Sequence, residues 1–129
     1  RNEGFLKWRL YGGTYRPERL DLDFVRAYVK AAALTTRRAL SESTRLVRGM
    51  DLADDLAKIS VPTLVVFGDR DRRVNPREAQ RQQRLLGRPY LAVFNACGHY
   101  PQCERPELFN RVVLDFLQSD HHDRPPPGA

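Results

Sequence analysis

Apolar and polar positions alternate along this chain in two different rhythms, and the rhythm changes at Ile59. Before that point the spacing is helical. Phe5, Trp8, Tyr11 and Tyr15 recur every three or four residues, a stripe that suits one helix face as far as Gly12-Gly13 and reads as core. Pro17 opens a second helical stretch to about Ala33, with Leu20, Phe24, Ala27, Tyr28 and Ala31 as its apolar stripe. A helix over Thr36 to Val47 follows, with Gly49 placed to terminate it. Asp51 is placed to cap a short one from Leu52 to Ala57.

After Ile59 the pattern becomes strand, helix, strand, helix. Thr63 to Phe67 is a short β-branched and aromatic run of the kind found in a strand covered on both faces. Pro62 sits at its start, where a missing N–H costs the ladder least. Asn75-Pro76 starts a helix that ends near Gly87, and Tyr90 to Phe94 is a second strand. Pro106 opens a last helix with Leu108, Phe109, Val112, Val113, Phe116 and Leu117 on its buried face. This order predicts an α/β unit in which the two strands lie parallel, joined by a right-handed crossover. Three regions result: a helical part over 1–58, an α/β part over 59–118 and a polar, Pro-rich tail over 119–129 that reads as disordered.

Composition narrows the functional classes. The chain has 129 residues, so one domain is the ceiling. Two strands alone make a marginal sheet, which points to the second half of a domain rather than a whole one. The net charge is +6, from 22 basic and 16 acidic residues, but Arg is dispersed and no nucleic-acid motif accompanies it. No nucleic-acid partner is expected. No apolar run approaches the roughly 18 residues of a membrane span, and no signal peptide is expected. Cys97 and Cys103 flank His99 without forming a C-x-x-C pair, so a reduced, cytoplasmic protein with packing cysteines is the simpler reading. His121 and His122 read as solvated tail residues, and no metal site is expected.

The chemistry sits at the two strand ends. Gly68-Asp69-Arg70-Asp71 ends the first strand and Cys97-Gly98-His99 follows the second, with 28 positions between Asp71 and His99. The C-terminal strand edge is where open α/β sheets bind ligands. An Asp and a His there form half of a nucleophilic unit. The His is the general base, and the Asp fixes its tautomer and stabilises the imidazolium. Asp69 is then an exposed turn residue, and Glu104 a charge favoured by the start of the last helix.

The segment from about Ile59 to Leu117 resembles the C-terminal half of the α/β-hydrolase fold. In that family the acid follows strand seven in a G-x-x-D turn and the His follows strand eight in a G-H turn. Gly68-Asp69-Arg70-Asp71 and Gly98-His99 match these. GDRDRRV and CGHYPQCERPELFNR look most like the carbon–carbon hydrolases of meta-ring-fission products, although Tyr100 stands where that subfamily usually has Trp. The resemblance implies that residues 1–58 are a helical cap and that Asp71 and His99 are catalytic. It also makes Arg26 a candidate ligand for a substrate carboxylate; read on its own, Arg26 is a solvated helix residue. Tyr100 either lines the pocket or covers the His loop.

No G-x-S-x-G elbow occurs, so the nucleophile is expected upstream of Arg1 or on a companion chain. The leading expectation is a fragment of a serine hydrolase, acting on a small ester or a C–C bond next to a carbonyl, without metal or organic cofactor. The alternatives are a non-catalytic ligand-binding member of the fold, or an Asp-nucleophile dehalogenase or epoxide hydrolase. Association of the fragment with itself is a further possibility, since it would leave sheet edges open.

Overall fold

The computed structural model describes residues 3–87 and 89–120. The tail from 121, with His121 and His122, lies outside the described residues. Helix α1 spans Glu3–Tyr11, α2 Leu22–Leu34, α3 Arg37–Gly49 and α4 Ala53–Leu56. Strand β1 (Leu64–Gly68), α5 (Pro76–Leu85), β2 (Tyr90–Phe94), α6 (Pro101–Glu104) and α7 (Pro106–Gln118) complete the order.

The two strands pair in parallel, with Leu64 opposite Tyr90 and Gly68 opposite Phe94. The register brings both strand ends to one edge, so the turns after Gly68 and Phe94 meet. Asn75 caps α5 by accepting from Arg77 N–H at 2.9 Å, and Gly87 takes a left-handed φ of 75° beyond its end. Leu64 to Phe67 are half-buried rather than enclosed, because within this chain only part of the sheet is covered. On one side Phe116 of α7 meets Tyr90 edge-on, with ring centroids 5.4 Å apart. On the other side Val93 is exposed, as are Leu114 and Leu117 of α7.

The helical part departs from its apolar pattern in three places. In α1 the buried residues are Leu6 and Leu10, while Phe5 and Trp8 stack on each other in the open. Of the aromatic stripe, Phe5 and Trp8 are therefore not core, while Tyr11 packs against it. The i,i+4 leucine pair faces α2 instead, where Leu10 joins Leu20 and Val25 in a small cluster flanked by Phe24 and Tyr28. Pro17 opens only a 3₁₀ turn to Arg19. The true α2 starts after Asp21, whose carboxylate caps Phe24 N–H at 2.9 Å. Gly49 lies inside α3, and the helix closes at Met50 in extended conformation, so no left-handed terminator is used there.

Candidate active site

Asp71 and His99 touch. The Asp71 Oδ2 atom lies 2.9 Å from His99 Nδ1, with the Asp71 side chain 6% exposed and the imidazole 33% exposed. The acid is fixed from behind: its Oδ1 accepts Arg73 N–H at 2.7 Å and Val74 N–H at 3.0 Å, an Asx turn closed on its own chain. Burial pushes the Asp71 carboxyl upward. The hydrogen bonds from His99, Val74 and Arg73 outweigh that and hold it below its ordinary value.

The strand ends explain why these residue types stand where they do. After β2, Ala96 adopts a left-handed φ of 52°, which turns the chain back toward β1. Arg70 N–H then donates to Cys97 C=O at 2.8 Å, and Asp69 N–H to Phe94 C=O at 3.0 Å. A side chain on Gly68 would collide with the backbone of Cys97 and Gly98. One on Gly98 would collide with Gly13 C=O and come within 2.8 Å of Glu104 Oε1. Both glycines are required by backbone packing against backbone. Asp69 is not a free turn residue: its carboxylate accepts Cys97 N–H at 3.3 Å and sits 3.4 Å from Arg70. It ties the two turns together and does not reach the imidazole.

Glu104 corrects the sequence reading. It ends α6 rather than starting a helix, and its carboxylate turns back into the His loop. Oε2 accepts Gly98 N–H at 3.0 Å and Tyr15 N–H at 2.9 Å, and Oε1 accepts Tyr100 N–H at 3.2 Å. The segment after α1 is bolted to the same place, since His99 N–H donates to Gly13 C=O at 2.7 Å. Arg73 adds a third link by donating to Arg9 C=O. The signal for Glu104 was its place five residues after His99 in the matched run; nothing local pointed to Arg73.

Tyr100 lies beside the imidazole, edge-on at 5.0 Å between centroids, and edge-on to Tyr28 at 6.3 Å. Arg73 stands 6.0 Å over its ring. Burial and Tyr28 raise the Tyr100 phenol, against the opposing charges of Arg73 and Arg9. Arg26 is not brought to this cluster. Two residues before Tyr28 on α2, it lies about 200° around the helix from it, 75% exposed and paired with Asp23 at 2.9 Å. The apolar face of α2 packs Val25 and Val29 inward and turns Arg26 to solvent.

The geometry defines the available chemistry. Asp71 as carboxylate accepts the Nδ1 proton, so the lone pair of the neutral imidazole sits on Nε2. Among the described residues Nε2 has no protein partner. Cys97 offers no second nucleophile: burial first, then the charges of Glu104, Asp69 and Asp71 against Arg105, push its thiol to about 12. Burial and Glu104 raise Cys103 as well, and both cysteines are free. Among the described residues no group of three His, Cys, Asp or Glu is placed to hold a metal ion.

No protein-family model matches the chain. Over 68 residues it is 47% identical to 2-hydroxy-6-oxononadienedioate/2-hydroxy-6-oxononatrienedioate hydrolase 2 of Pseudomonas putida, a stretch equal to 53% of this chain and 24% of that protein. The chain thus spans about a quarter of the length of the curated relatives it matches. A solved serine hydrolase involved in carbazole degradation superposes on 90% of this chain and 47% of its own, with TM-score 0.73 and 24% identity. A bacterial membrane phospholipase A, described as a virulence factor, covers 91% of this chain and 38% of its own, with TM-score 0.74 and 28% identity.

The chain has the α/β-hydrolase fold. As a C-terminal portion of that fold it supplies two neighbouring parallel strands and their edge turns. The helical segment contacts those turns directly, through Gly13, Tyr15 and Arg9. Among the described residues no helix is long and apolar enough to cross a membrane.

Proposed function

We propose that this chain carries the acid–base half of a hydrolase, acting on a small ester or on a C–C bond next to a carbonyl. His99 is the general base and Asp71 its orienting acid. A nucleophilic hydroxyl comes from an upstream segment or a companion chain. Residues 1–58 form the cap that roofs the pocket, and Tyr100 lines it. The observation that supports this best is the 2.9 Å contact between a nearly buried carboxylate and the Nδ1 of a one-third exposed imidazole.

The mechanism follows from that contact. Nε2 takes the proton of the nucleophile as its oxygen attacks the substrate carbonyl, and Asp71 stabilises the imidazolium. His99 then returns that proton to the leaving group, oxygen for an ester or carbon for a C–C substrate. A neutral His99 next removes a proton from water, whose oxygen bonds to the acyl carbon; the bond to the nucleophile's oxygen breaks, and that oxygen takes the proton back from His99. The names of the relatives, hydrolases of 2-hydroxy-6-oxononadienedioate and 2-hydroxy-6-oxononatrienedioate, favour the C–C branch.

The test compares this chain alone with the same chain joined to a nucleophile-bearing N-terminal half of the fold. Alone it should not turn over a p-nitrophenyl ester or a ring-fission product. Joined, it should, and His99→Ala should lower kcat by at least about 10²–10⁴-fold with substrate binding largely retained. Full kcat in the joined His99→Ala protein would overturn the reading.

A further inference from the structure

The backbone links between the two strand ends stop before His99. Among the described residues the last are Asp69 N–H to Phe94 C=O and Arg70 N–H to Cys97 C=O. Beyond Cys97, three successive amides find their acceptors elsewhere. Gly98 N–H and Tyr100 N–H both donate to Glu104, at 3.0 and 3.2 Å. His99 N–H, between them, donates to Gly13 C=O at 2.7 Å. The main chain that carries the base is therefore held by one carboxylate and by the helical segment, not by the sheet.

Helix capping accounts for only part of this. Tyr100 is the N-cap of α6, and a carboxylate in the first turn that reaches back to its N-cap amide is an ordinary capping device. That takes Oε1 alone. Oε2 makes two bonds that capping does not need: one to Gly98 N–H, on the other side of His99, and one at 2.9 Å to Tyr15 N–H, 89 positions away. Bonds to an ionised acceptor are about twice as strong as neutral ones. Tyr15 follows a stiff turn that continues α1. Gly12, Gly13 and Thr14 N–H donate to Trp8, Leu10 and Tyr11 C=O, and the buried Thr14 adds its hydroxyl to Leu10 C=O at 3.0 Å. The position of α1 is thus carried to the His loop with little slack.

We infer that Glu104 is the positioning residue of the base, and the link through which the docked helical segment sets the aim of His99. With Glu104 in place, the amides on both sides of His99 and that of Tyr15 move as one body, and the ring meets Asp71 at 2.9 Å. Without it, the amides from Gly98 to Tyr100 keep one acceptor, Gly13 C=O. Glu104 bonds to main-chain amides and acts on the imidazole only through the His99 backbone. A displacement of about 1 Å at a reacting group costs on the order of 10²-fold in rate, so a loosened loop shows in kcat rather than in substrate binding. The consequence for turnover rests on the hydrolase reading; the coupling itself is measured in this chain without substrate, so the two can fail separately.

The experiment follows His99 by NMR in the wild-type chain, Glu104→Ala and Glu104→Gln, at a pH where the imidazole is neutral. In the wild type, native-state hydrogen exchange should show the Tyr15 and His99 amides opening as one unit, with the same dependence on denaturant. In Glu104→Ala the His99 amide should exchange at least tenfold faster, although its own acceptor is untouched. The Nδ1–H signal should broaden into exchange with water, and the shifts of the two ring nitrogens should converge. Glu104→Gln, whose carbonyl can still accept from Gly98 and Tyr15, should restore the ring signature and bring His99 exchange to within about threefold of wild type. If Glu104→Ala does not fold, Glu104→Asp, which keeps the charge but shortens the reach by one methylene, takes its place with the same outcomes. A carboxylate that only caps α6 would leave the His99 amide and ring unchanged in every variant. That result, or independent opening of Tyr15 and His99 in the wild type, would overturn the inference. In the joined protein Glu104→Ala should lower kcat about 10–10²-fold with KM within about threefold. A lost ring signature with full kcat would instead overturn the hydrolase reading alone.

Discussion

Asp71→Asn separates the shape of the site from its chemistry. The carboxylate makes three hydrogen bonds: Arg73 N–H and Val74 N–H on Oδ1, and His99 Nδ1 on Oδ2. An asparagine carbonyl placed at Oδ1 keeps the first two, so the Asx turn persists. Its amide nitrogen then occupies the Oδ2 position and can only donate. His99 must answer with a lone pair on Nδ1, which moves its proton to Nε2. The stability cost is one charge-assisted bond exchanged for a neutral one, about 1 kcal/mol. The cost to proton transfer is far larger, because Nε2 no longer has a lone pair. The serine-protease precedent puts that loss at about 10⁴-fold in kcat. Long-range ¹H–¹⁵N correlation of the imidazole reads the tautomer directly: Nε2 unprotonated in the wild-type chain, protonated in Asp71→Asn. The same experiment on Asp69→Asn should show no change, since Asp69 reaches Cys97 N–H and Arg70 but not the ring. An unchanged tautomer in Asp71→Asn, or an inverted one in Asp69→Asn, would refute the assignment of the acid.

Two further outcomes follow from the same contacts. Glu104→Ala should speed amide hydrogen exchange at Tyr15, Gly98 and Tyr100 by about tenfold or more, a charged hydrogen bond being worth about 1.5–3 kcal/mol. Glu104→Gln should spare Tyr15 and Gly98, which share Oε2, and release Tyr100; equal protection in all three proteins would remove Glu104 from the His loop. Asp71 also gives stability a pH dependence. Its folded value lies below the ordinary 3.8, so the unfolded chain takes up the proton first. The contribution is complete above that ordinary value and is lost as pH falls through the folded one. The stability gap between wild type and Asp71→Asn in denaturant titrations should therefore shrink on acidification below about pH 4; a gap that widens there would contradict the direction assigned.

What could be read from the sequence was whatever is local or set by the strand period. β2 stands at the predicted Tyr90–Phe94, β1 is displaced by one residue, and the two pair in parallel. The Asp71–His99 pair followed from two turns at one sheet edge and a matched motif. The helical part was harder, because its faces are chosen by partners distant in sequence. The pair Phe5 and Trp8 and the pair Leu6 and Leu10 are both helical in spacing; only the position of α2 decides that the leucines go inside. Arg26 and Tyr28 lie on one helix, and only the packing of Val25 and Val29 shows which of them faces Tyr100.

Glu104 shows why such a residue escapes a reading based on local rules. A Glu just ahead of Arg105-Pro106 has a sufficient local explanation in the dipole of the helix that follows. Its actual partners are two amides a few residues back and one from 89 positions away, on the far side of the helical segment. Backbone amides carry no sequence signature, so a carboxylate that recognises them has no matching partner residue to be found with. The same is true of Gly98. Its missing side chain answers to Gly13, Tyr15 and Glu104 together, three positions that meet only when the helical segment lies against the His turn. The Gly98-His99 motif is therefore a statement about the helical segment as much as about the strand before it. A chain that altered the Gly13–Tyr15 segment would be expected to disturb His99 without touching either strand.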